Sequence, residues 1–300
     1  MNYRHAFHAG NFADVLKHAV LALVIEHLKL KPKPFRVIDT HAGIGRYRLD
    51  GPEALRTSEW RDGIGRLIGP AAAPLPADVA ALLAPYLETI RKLNPDGDLA
   101  IYPGSPLLAL SLMRADDRLV AAELHPEDSA ELARLIGRDP RARIFERDGW
   151  QVLKASLPPR ERRGIVLIDP PYEVAGESAR LAQALREGLK RFATGTYLLW
   201  FPLKDRGALG ELQQAIASIA IERVLWVELA VGAPKDKPGA LSGSGLAILN
   251  PPYRLAEQLN VLLPFLAERL SRGEQTSWSV RDPRLGAQGN AHSEASDSHA

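Results

Sequence analysis

The segment Asp169-Pro170-Pro171-Tyr172 combines residue types that could activate an amino nitrogen. It follows an apolar run at 165–168, so a carboxylate stands at the end of a predicted buried strand. The exocyclic amino group of adenine is a weak nucleophile because its lone pair is delocalised into the ring. Catalysis therefore needs acceptors for its N–H groups. Asp169 and the Pro170 carbonyl could be these acceptors, and Tyr172 could stack on the purine. The alternative is a plain turn.

A glycine-bearing loop, Asp39-Thr40-His41-Ala42-Gly43-Ile44-Gly45, follows another short apolar run. Glycine lets the backbone approach a ligand closely, and Gly43 would lie at the carboxyl end of a strand, where doubly wound sheets bind ligands. The loop lacks the third glycine of a dinucleotide fingerprint and the Gly-Lys-Ser/Thr of a phosphate loop. These absences disfavour hydride transfer and nucleotide hydrolysis, although the loop alone is a weak signal.

Two further acids, Glu123 and Asp148, close predicted strands. An acid at the end of the second strand could accept hydrogen bonds from both ribose hydroxyls of a nucleoside cofactor. An acid at the end of the third could accept from the adenine amino group of that cofactor. Taken singly, each acid is more typical of a helix N-cap or a solvated side chain. Together with the two motifs above, in this order, they favour the cofactor interpretation.

Seven predicted strands would position these residues, at 35–39, 118–124, 142–148, 164–169, 196–202, 223–231 and 245–250. Helical patterns lie at 12–30, 126–136, 149–156, 177–192 and 208–219. This α/β alternation predicts a doubly wound parallel sheet. Only a Gly/Pro/Lys-rich loop joins the last two strands, so they should pair antiparallel. The pattern is characteristic of the Rossmann-like S-adenosylmethionine-dependent methyltransferase fold, with seven mostly parallel strands and one antiparallel strand.

Residues 50–100 depart from the alternation, because prolines interrupt Ala/Leu-rich pieces there. We predict a small helical insertion subdomain at 50–100, between the first and second strands. The methyltransferase domain would then consist of residues 1–49 and 101–280. Residues 281–300 contain almost no large apolar side chains, and we predict that they form a disordered tail.

The composition is that of a globular protein, with 300 residues of which 46% are hydrophobic and 25% charged. Cysteine is absent, which excludes disulfides, thiolate metal sites and cysteine nucleophiles, and we expect no metal. Charged residues interrupt the apolar stretch at 12–30, so we expect neither a signal peptide nor a membrane span and place the chain in the cytoplasm. The net charge is only +2, so a nucleic-acid partner would have to bind to local basic surface.

A second Pro-Pro-Tyr segment, Asn250-Pro251-Pro252-Tyr253, has the form that many amino-group methyltransferases use. The predicted topology distinguishes the two segments. The strand before Asp169 would be parallel and adjacent to the first strand, which brings its loop to the ligand edge of the sheet. The strand before Asn250 would run antiparallel and end at the opposite edge. We therefore assign the segment at Asn250 a structural role.

Several short motifs follow one another along the chain: Tyr3-Arg4-His5-Ala6-Phe7-His8-Ala9-Gly10-Asn11, Asp14-Val15-Leu16-Lys17-His18, Asp39-Thr40-His41-Ala42-Gly43, Tyr102-Pro103-Gly104-Ser105-Pro106, Glu123-Leu124-His125-Pro126, Asp148-Gly149 and Asp169-Pro170-Pro171-Tyr172. In these motifs the chain resembles the bacterial 23S ribosomal RNA adenine-N6 methyltransferases of the RlmJ type. The resemblance covers nearly the whole chain except the C-terminal tail. So many matches in one order are very specific.

The resemblance implies a set of site residues. The residues implied to contact S-adenosylmethionine are His18, His41, Ser105, Glu123, Asp148 and Gly149, and we expect Gly43 and Asp169 to contact the cofactor as well. The resemblance makes Asp169 the catalytic acceptor, and Tyr3, Arg4, His5 and Lys17 are the residues expected to meet the RNA. The expected partner is 23S rRNA, as naked RNA or an early precursor, and the chain is expected to act as a monomer.

Three other functions remain open from the sequence. A protein glutamine-amide methyltransferase would use a similar loop, usually with Asn first, and both Asp169 and the Tyr3-Arg4-His5 segment count against it. A DNA adenine methyltransferase would read a base sequence, for which no second large domain is evident. A non-enzymatic cofactor-binding or RNA-binding module is least consistent with an intact Asp-Pro-Pro-Tyr loop.

Overall fold

The computed structural model describes residues 4–69, 72–172, 177–204, 206–219, 221–233, 241–273, 275–282 and 286–288. The strands are β1 (Arg36–Asp39), β2 (Arg46–Arg48), β3 (Ile101–Pro103), β4 (Arg118–Glu123), β5 (Ala142–Glu146), β6 (Gly164–Ile168), β7 (Thr196–Pro202), β8 (Val224–Val231), β9 (Gly243–Leu249), β10 (Thr276–Asp282) and β11 (Gly286–Gln288). The helices are α1 (Phe12–Lys29), α2 (Pro52–Thr57), α3 (Gly65–Ile68), α4 (Ala77–Leu93), α5 (Ser105–Leu112), α6 (Pro126–Ile136), α7 (Gly149–Ser156), α8 (Glu177–Arg191), α9 (Arg206–Ala217) and α10 (Leu255–Arg269). Two short 3-10 helices cover His5–Phe7 and Glu59–Asp62.

The central sheet has the order β11-β10-β8-β9-β7-β6-β1-β4-β5. Strand β1 pairs in parallel with both β4 and β6, and β5 and β7 extend the parallel part on either side. Because parallel strands share their direction, the loops after β1, β4, β5 and β6 all leave from one edge of the sheet. The predicted α/β fold and the adjacency of the strand before Asp169 to the first strand are therefore confirmed.

Helices cover both faces of the parallel strands, which explains why these strands read as unbroken apolar runs. Alternate residues of β1 point to opposite faces: Val37 joins the cluster that contains the apolar face of α1, and Ile38 joins the cluster that contains Val152 of α7 and Leu181 of α8. Each strand thus has two apolar faces to bury, and a one-residue slip in register would exchange them.

The antiparallel end of the sheet is larger than the sequence predicts. As predicted, β9 pairs antiparallel with β8 and also with β7. However, β10 adds to β8, and β11 to β10, so the described residues form a sheet of nine strands rather than the predicted seven. Both β9 and β10 run against the parallel set. The sequence of β10, Thr-Ser-Trp-Ser-Val-Arg-Asp, has too few apolar residues to predict a core strand.

The predicted disordered tail began at 281, which is too early. Arg281 and Asp282 belong to β10, where they pair with neighbouring strands, and residues 286–288 form β11. Backbone pairing at a sheet end needs no large apolar side chains, so composition alone does not reveal it. The remainder of the predicted tail, 289–300, lies outside the described residues.

Helix α1 is buried along most of its length, and it places three charged or polar side chains inside the protein. Its N-cap is Asn11, whose side-chain oxygen accepts from the backbone N–H groups of Ala13 and Asp14 at 3.0 Å each. The buried residues of α1 include Asp14, Lys17 and His18 as well as its apolar side chains. Buried charges require partners, so α1 has to meet other polar groups in the interior.

The segment 50–100 forms α2, α3 and α4, with the two-stranded sheet of β2 and β3 at its borders. Helix α4 packs against α1, α5 and α10, and its buried Leu83 and Tyr86 belong to the same apolar cluster as α1. The insertion is therefore helical as predicted, while its treatment as a separate subdomain remains a prediction. No helix in the described part of the chain is long and apolar enough to cross a membrane.

Candidate active site

A cavity of about 260 Å³ opens at the carboxyl ends of the parallel strands. Among its lining residues are most of those that the sequence singled out: His5, Lys17, His18, His41, Gly43, Ser105, Glu123, Asp148, Gly149, Asp169 and Pro170. They come from α1 or the chain before it, and from the starts of α5 and α7 and the loops after β1, β4, β5 and β6. The fold therefore brings residues that are up to 165 positions apart in the sequence, from His5 to Pro170, around one space.

Two described residues of the predicted site, Arg4 and Tyr172, are not among those that line the cavity. Tyr3 lies outside the described residues. Arg4 is exposed and forms an ion pair with Glu127 at 2.7 Å. Tyr172 is half-buried, and its hydroxyl donates to the backbone oxygen of Trp200 at 2.6 Å. Stacking of a substrate purine on Tyr172 remains a prediction.

The Asp169 carboxylate is held by a buried cation. The Lys17 ammonium donates to Asp169 Oδ2 at 2.5 Å and to Asp14 Oδ1 at 2.9 Å. Asp14 Oδ2 in turn meets His5 Nε2 at 2.8 Å and accepts from the Gly10 N–H at 2.9 Å. One oxygen of Asp169 is thus fixed by Lys17, which leaves Oδ1 to accept from a group in the cavity.

Charge balance within this network keeps Lys17 and Asp14 ionised. Burial lowers the pKa of Lys17, but the adjacent carboxylates of Asp14 and Asp169 outweigh it and hold that pKa well above its usual value. Burial raises the pKa of Asp14, yet His5, Lys17 and His18 together hold it well below its usual value. Lys17 is therefore an internal partner of Asp169 and not a cation on the open surface.

Glu123 joins two ligand loops. Its Oε2 accepts from the Gly43 N–H at 2.8 Å, and its Oε1 accepts from the His125 N–H at 2.8 Å. Burial raises the pKa of Glu123, and these two backbone bonds oppose the rise. Gly43 has φ +60°, and a Cβ there would lie 2.2 Å from the Tyr47 hydroxyl. The loop can therefore reach Glu123 only with glycine at this position, and each carboxylate oxygen keeps a lone pair for a ligand hydroxyl.

Asp148 is both a helix cap and a lining residue. Its Oδ1 accepts from the N–H groups of Trp150 at 2.8 Å and Gln151 at 3.3 Å, at the start of α7. Its Oδ2 accepts from Arg180 at 2.7 Å. A Cβ at Gly149 would lie 2.0 Å from the Thr40 carbonyl oxygen, so glycine lets α7 start directly against the loop after β1. Asp148 therefore caps α7 and lines the cavity at the same time.

Ser105 and Asp39 form a buried pair beneath the cavity. The Ser105 hydroxyl donates to Asp39 Oδ2 at 2.6 Å, and the His41 N–H donates to Asp39 Oδ1 at 3.3 Å. Burial raises the pKa of Asp39 to about 6, and the Ser105 hydrogen bond opposes the rise. This pair fixes the start of α5 against the end of β1, so the loop of His41 has a rigid support.

Two neutral histidines line the cavity. Burial lowers the pKa of His41 to about 4 and that of His18 to about 3. The Thr40 hydroxyl lies 2.8 Å from His41 Nδ1 and 3.0 Å from the Leu167 carbonyl oxygen, so it holds the His41 ring against the end of β6. His18 is held through Nδ1 by the Tyr102 hydroxyl at 2.8 Å.

Other lining residues were not predicted from the sequence. They include Trp200 on β7, Tyr47 on β2, Trp150 on α7 and Arg180 on α8. Trp200 lies within an apolar run, where an aromatic residue is more typical of core packing than of a site. The one available signal was its place near the carboxyl end of a parallel strand, where inward-facing residues reach the ligand edge.

The segment at Asn250 lies away from the cavity, as predicted. Leu249 pairs with Tyr197 at the amino end of β7, the edge opposite to the ligand loops. Asn250 has φ +52°, and its amide donates to the carbonyls of Ala193 and Gly195 at 2.8 Å each. It does not cap α10, whose N-cap is Arg254. Its amide therefore links the loop before β7 to the loop after β9.

A mostly parallel Rossmann-like sheet, with acids and glycines at the carboxyl ends of β1, β4, β5 and β6, defines a methyltransferase fold. The family model described as ribosomal RNA large subunit methyltransferase D, RlmJ, matches residues 32–281. The chain belongs to this family, and it is an enzyme that methylates ribosomal RNA.

Relatives support this assignment over nearly full length. The chain is 45% identical over 284 residues to the ribosomal RNA large subunit methyltransferase J of Escherichia coli, covering 93% of this chain and 99% of that protein. It is 44% identical over 281 residues to the protein of the same name from Haemophilus influenzae, covering 93% and 98%. The crystal structure of LPL1258 from Legionella pneumophila is similar with a TM-score of 0.83 and 31% identity, covering 92% and 98%.

Proposed function

We propose that this enzyme transfers a methyl group from S-adenosylmethionine to N6 of one adenosine in 23S rRNA. The observation that carries the proposal is the Asp169 carboxylate, with Oδ2 bound by Lys17 and Oδ1 left to accept in the cavity. The side chain is 18% exposed, which fits a group that is held in place and still reachable by a substrate. An aromatic amino group needs such an acceptor to become nucleophilic.

The residues present fit S-adenosylmethionine. Glu123 retains lone pairs for two ribose hydroxyls, Asp148 lies near it for an adenine amino group, and the start of α7 at Gly149 leaves no Cβ at the cavity wall. His18 contributes a buried Nε2 for which the described residues offer no hydrogen-bond partner. When bound, this cofactor supplies an electrophilic methyl group on a positively charged sulfur, and in-line attack needs no metal.

The protein's own groups would act mainly by orientation. Asp169 and the Pro170 carbonyl accept the two N–H groups of the adenine and direct the nitrogen lone pair toward the methyl group. The base has to leave its RNA context to reach these acceptors. Tyr172 and Trp200, whose rings meet edge to face with centroids 5.8 Å apart, supply the aromatic surface beside the Asp-Pro-Pro-Tyr loop.

The RNA would approach over the N-terminal residues. Arg4 is exposed, and His5 lines the cavity and meets the Tyr47 ring edge-on at 5.1 Å. We assign Tyr3, Arg4 and His5 to RNA contact. Lys17 would act on the RNA through Asp169, because it is buried against that carboxylate. The proposed substrate is naked 23S rRNA or an early precursor, bound by a cytoplasmic monomer.

Methyl incorporation would test the activity. Purified protein with labelled S-adenosylmethionine is expected to label deproteinised 23S rRNA, and digestion should release N6-methyladenosine. Parallel reactions with DNA and with protein substrates would expose the two alternative activities. Asp169→Ala should abolish labelling without loss of the fold. Labelling of DNA or protein in preference to rRNA, or full activity of Asp169→Ala, would overturn the proposal.

A further inference from the structure

Three buried aromatic side chains form a hydrogen-bonded row that ends at the cavity. The Tyr86 hydroxyl lies 2.8 Å from the Tyr102 hydroxyl, which lies 2.8 Å from His18 Nδ1. Tyr86 and Tyr102 are fully buried and His18 is 1% exposed. His18 lines the cavity, and no partner for its Nε2 is found among the described residues. The row therefore ends at Tyr86 inside the protein, and its other end, His18 Nε2, is available to a ligand in the cavity.

The end at Tyr86 sets the direction of the hydrogen bonds. Within the described residues, the Tyr86 hydroxyl has one hydrogen-bond partner, Tyr102. A buried hydroxyl that donated nowhere would lose a hydrogen bond, so Tyr86 must donate to Tyr102. Tyr102 then places its own hydrogen on His18 Nδ1. Because burial also keeps the ring neutral, with a pKa of about 3, the single ring proton lies on Nε2.

We infer that Tyr102, supported by Tyr86, is a positioning residue that holds His18 as the Nε2–H tautomer, a donor for the carboxylate of the cofactor's amino-acid end. This inference rests on the proposed cofactor. Glu123 and Asp148 occupy the β4 and β5 side of the cavity, where the nucleoside end would bind. His18 lies on α1, which packs against β6 and β9 on the other side. The end of the cofactor beyond the sulfur would face His18, and its carboxylate is an acceptor.

The tautomer can be observed without any ligand. Long-range ¹⁵N–¹H correlation spectra of histidine-labelled protein distinguish a protonated from an unprotonated ring nitrogen, and loss of one signal set in His18→Gln identifies His18. The expected pattern is Nε2 protonated and Nδ1 bare. A proton on His18 Nδ1 in the parent protein would overturn the inference.

Binding measurements test the consequence. S-adenosylhomocysteine carries the amino-acid end, whereas 5′-methylthioadenosine has the same nucleoside and thioether without it. Tyr102→Phe should weaken calorimetric binding of S-adenosylhomocysteine about tenfold and leave binding of 5′-methylthioadenosine unchanged. Tyr86→Phe is the matched control, because Tyr102 can still donate to His18 in that variant, and its effect should be less than about threefold.

The outcomes separate the two proposals. Equal loss of affinity for both ligands in Tyr102→Phe, or no loss for either, would overturn the positioning role while leaving the cofactor assignment intact. If the parent protein bound neither ligand, the proposed cofactor itself would be wrong. In that case, the NMR result would still report on the tautomer.

Discussion

Asp169 differs from an ordinary acid at a strand end because its carboxylate is bound to a buried, charged network. A chain of polar contacts leads from the residues before α1, through α1, to the loop after β6. It joins His5, Asp14, Lys17 and Asp169, and each contact is between 2.5 and 2.9 Å long. Because Lys17 is shared by two carboxylates, the position of Asp169 depends on residues far from it in sequence. Lys17 therefore bears on the stability of the protein and, under the proposed function, on methyl transfer.

Lys17→Met should therefore damage both properties. Removing one partner of a buried ion pair leaves uncompensated charge on Asp14 and typically costs about 3–5 kcal/mol of unfolding free energy. Urea unfolding would measure this loss, and methylation of 23S rRNA should fall with it. Lys29→Met is the matched control on the same helix, because Lys29 forms a more exposed pair with Glu26 at 2.6 Å. Its effect should stay below about 1 kcal/mol, and an equal loss in both variants would contradict the internal role of Lys17.

Glu123→Ala should weaken binding of S-adenosylhomocysteine by about 1.5–3 kcal/mol, the usual size for lost hydrogen bonds to a charged group. The variant also frees the N–H groups of Gly43 and His125, so the melting temperature has to be recorded alongside calorimetry. Glu127→Ala provides a control, since Glu127 is an exposed partner of Arg4. An unchanged dissociation constant in a folded Glu123→Ala protein would refute the ribose assignment.

Site residues could be predicted where a motif marks the end of a strand. Asp169, Glu123 and Asp148 follow apolar runs, and the order of these runs is enough to place them at one edge. Lys17 and His18 could not be predicted in this way, because a polar residue within an apolar helix gives no sign of what it faces. The sequence contained no sign of a site role for Tyr102 or Trp200 either, since buried aromatic residues mostly contribute to packing.

At the scale of elements, long periodic segments were predicted best. The helices α6 and α7 and strand β7 have the predicted bounds, and the other predicted strands and helices agree within two residues or so at each end. The missed elements are short or weakly apolar: β2 and β3 have three residues each, and five of the seven residues of β10 are polar. Helix α5 was missed because its Pro-rich start was interpreted only as a motif.

The loop at Asn250 allows a test of the prediction that this segment has a structural and not a catalytic role. Asn250→Ala removes two side-chain hydrogen bonds and places alanine at φ +52°, which together should cost about 2–4 kcal/mol of unfolding free energy. Asn250→Gly should recover the backbone part of the loss and not the hydrogen bonds. Both variants should keep turnover per folded molecule, as measured by methylation corrected for the folded fraction. Loss of turnover in well-folded Asn250→Ala would mean that this edge of the sheet takes part in the reaction.

For the whole molecule, the same burial that shapes the cavity also sets how stability responds to pH. His18 has a pKa lowered to about 3 by burial, whereas Asp39 has a pKa raised to about 6 by burial. Both groups lie at or beneath the cavity, and both are neutral in the folded protein near pH 5. Each one would therefore exchange a proton on unfolding, but in opposite directions.

The signs can be worked out for each group. Between about pH 4 and 6, the unfolded state binds a proton at His18 that the folded state does not, so this group makes stability rise with pH. The folded state keeps a proton on Asp39 that the unfolded state releases, so this group makes stability fall with pH over the same range. In the parent protein the two contributions oppose each other.

Separate substitutions should reveal these opposed contributions. In His18→Gln, the slope of unfolding free energy against pH between 4 and 6 should become more negative by up to about 1.4 kcal/mol per pH unit, because the rising contribution is removed. In Asp39→Asn, which keeps an acceptor for Ser105, the slope should become more positive by a similar amount. Urea unfolding at half-unit pH intervals would measure both slopes against the parent. If the slopes shifted in the same direction in the two variants, at least one of these groups would be ionised in the folded protein. The assignment of neutral His18 and neutral Asp39 at the cavity would then be wrong.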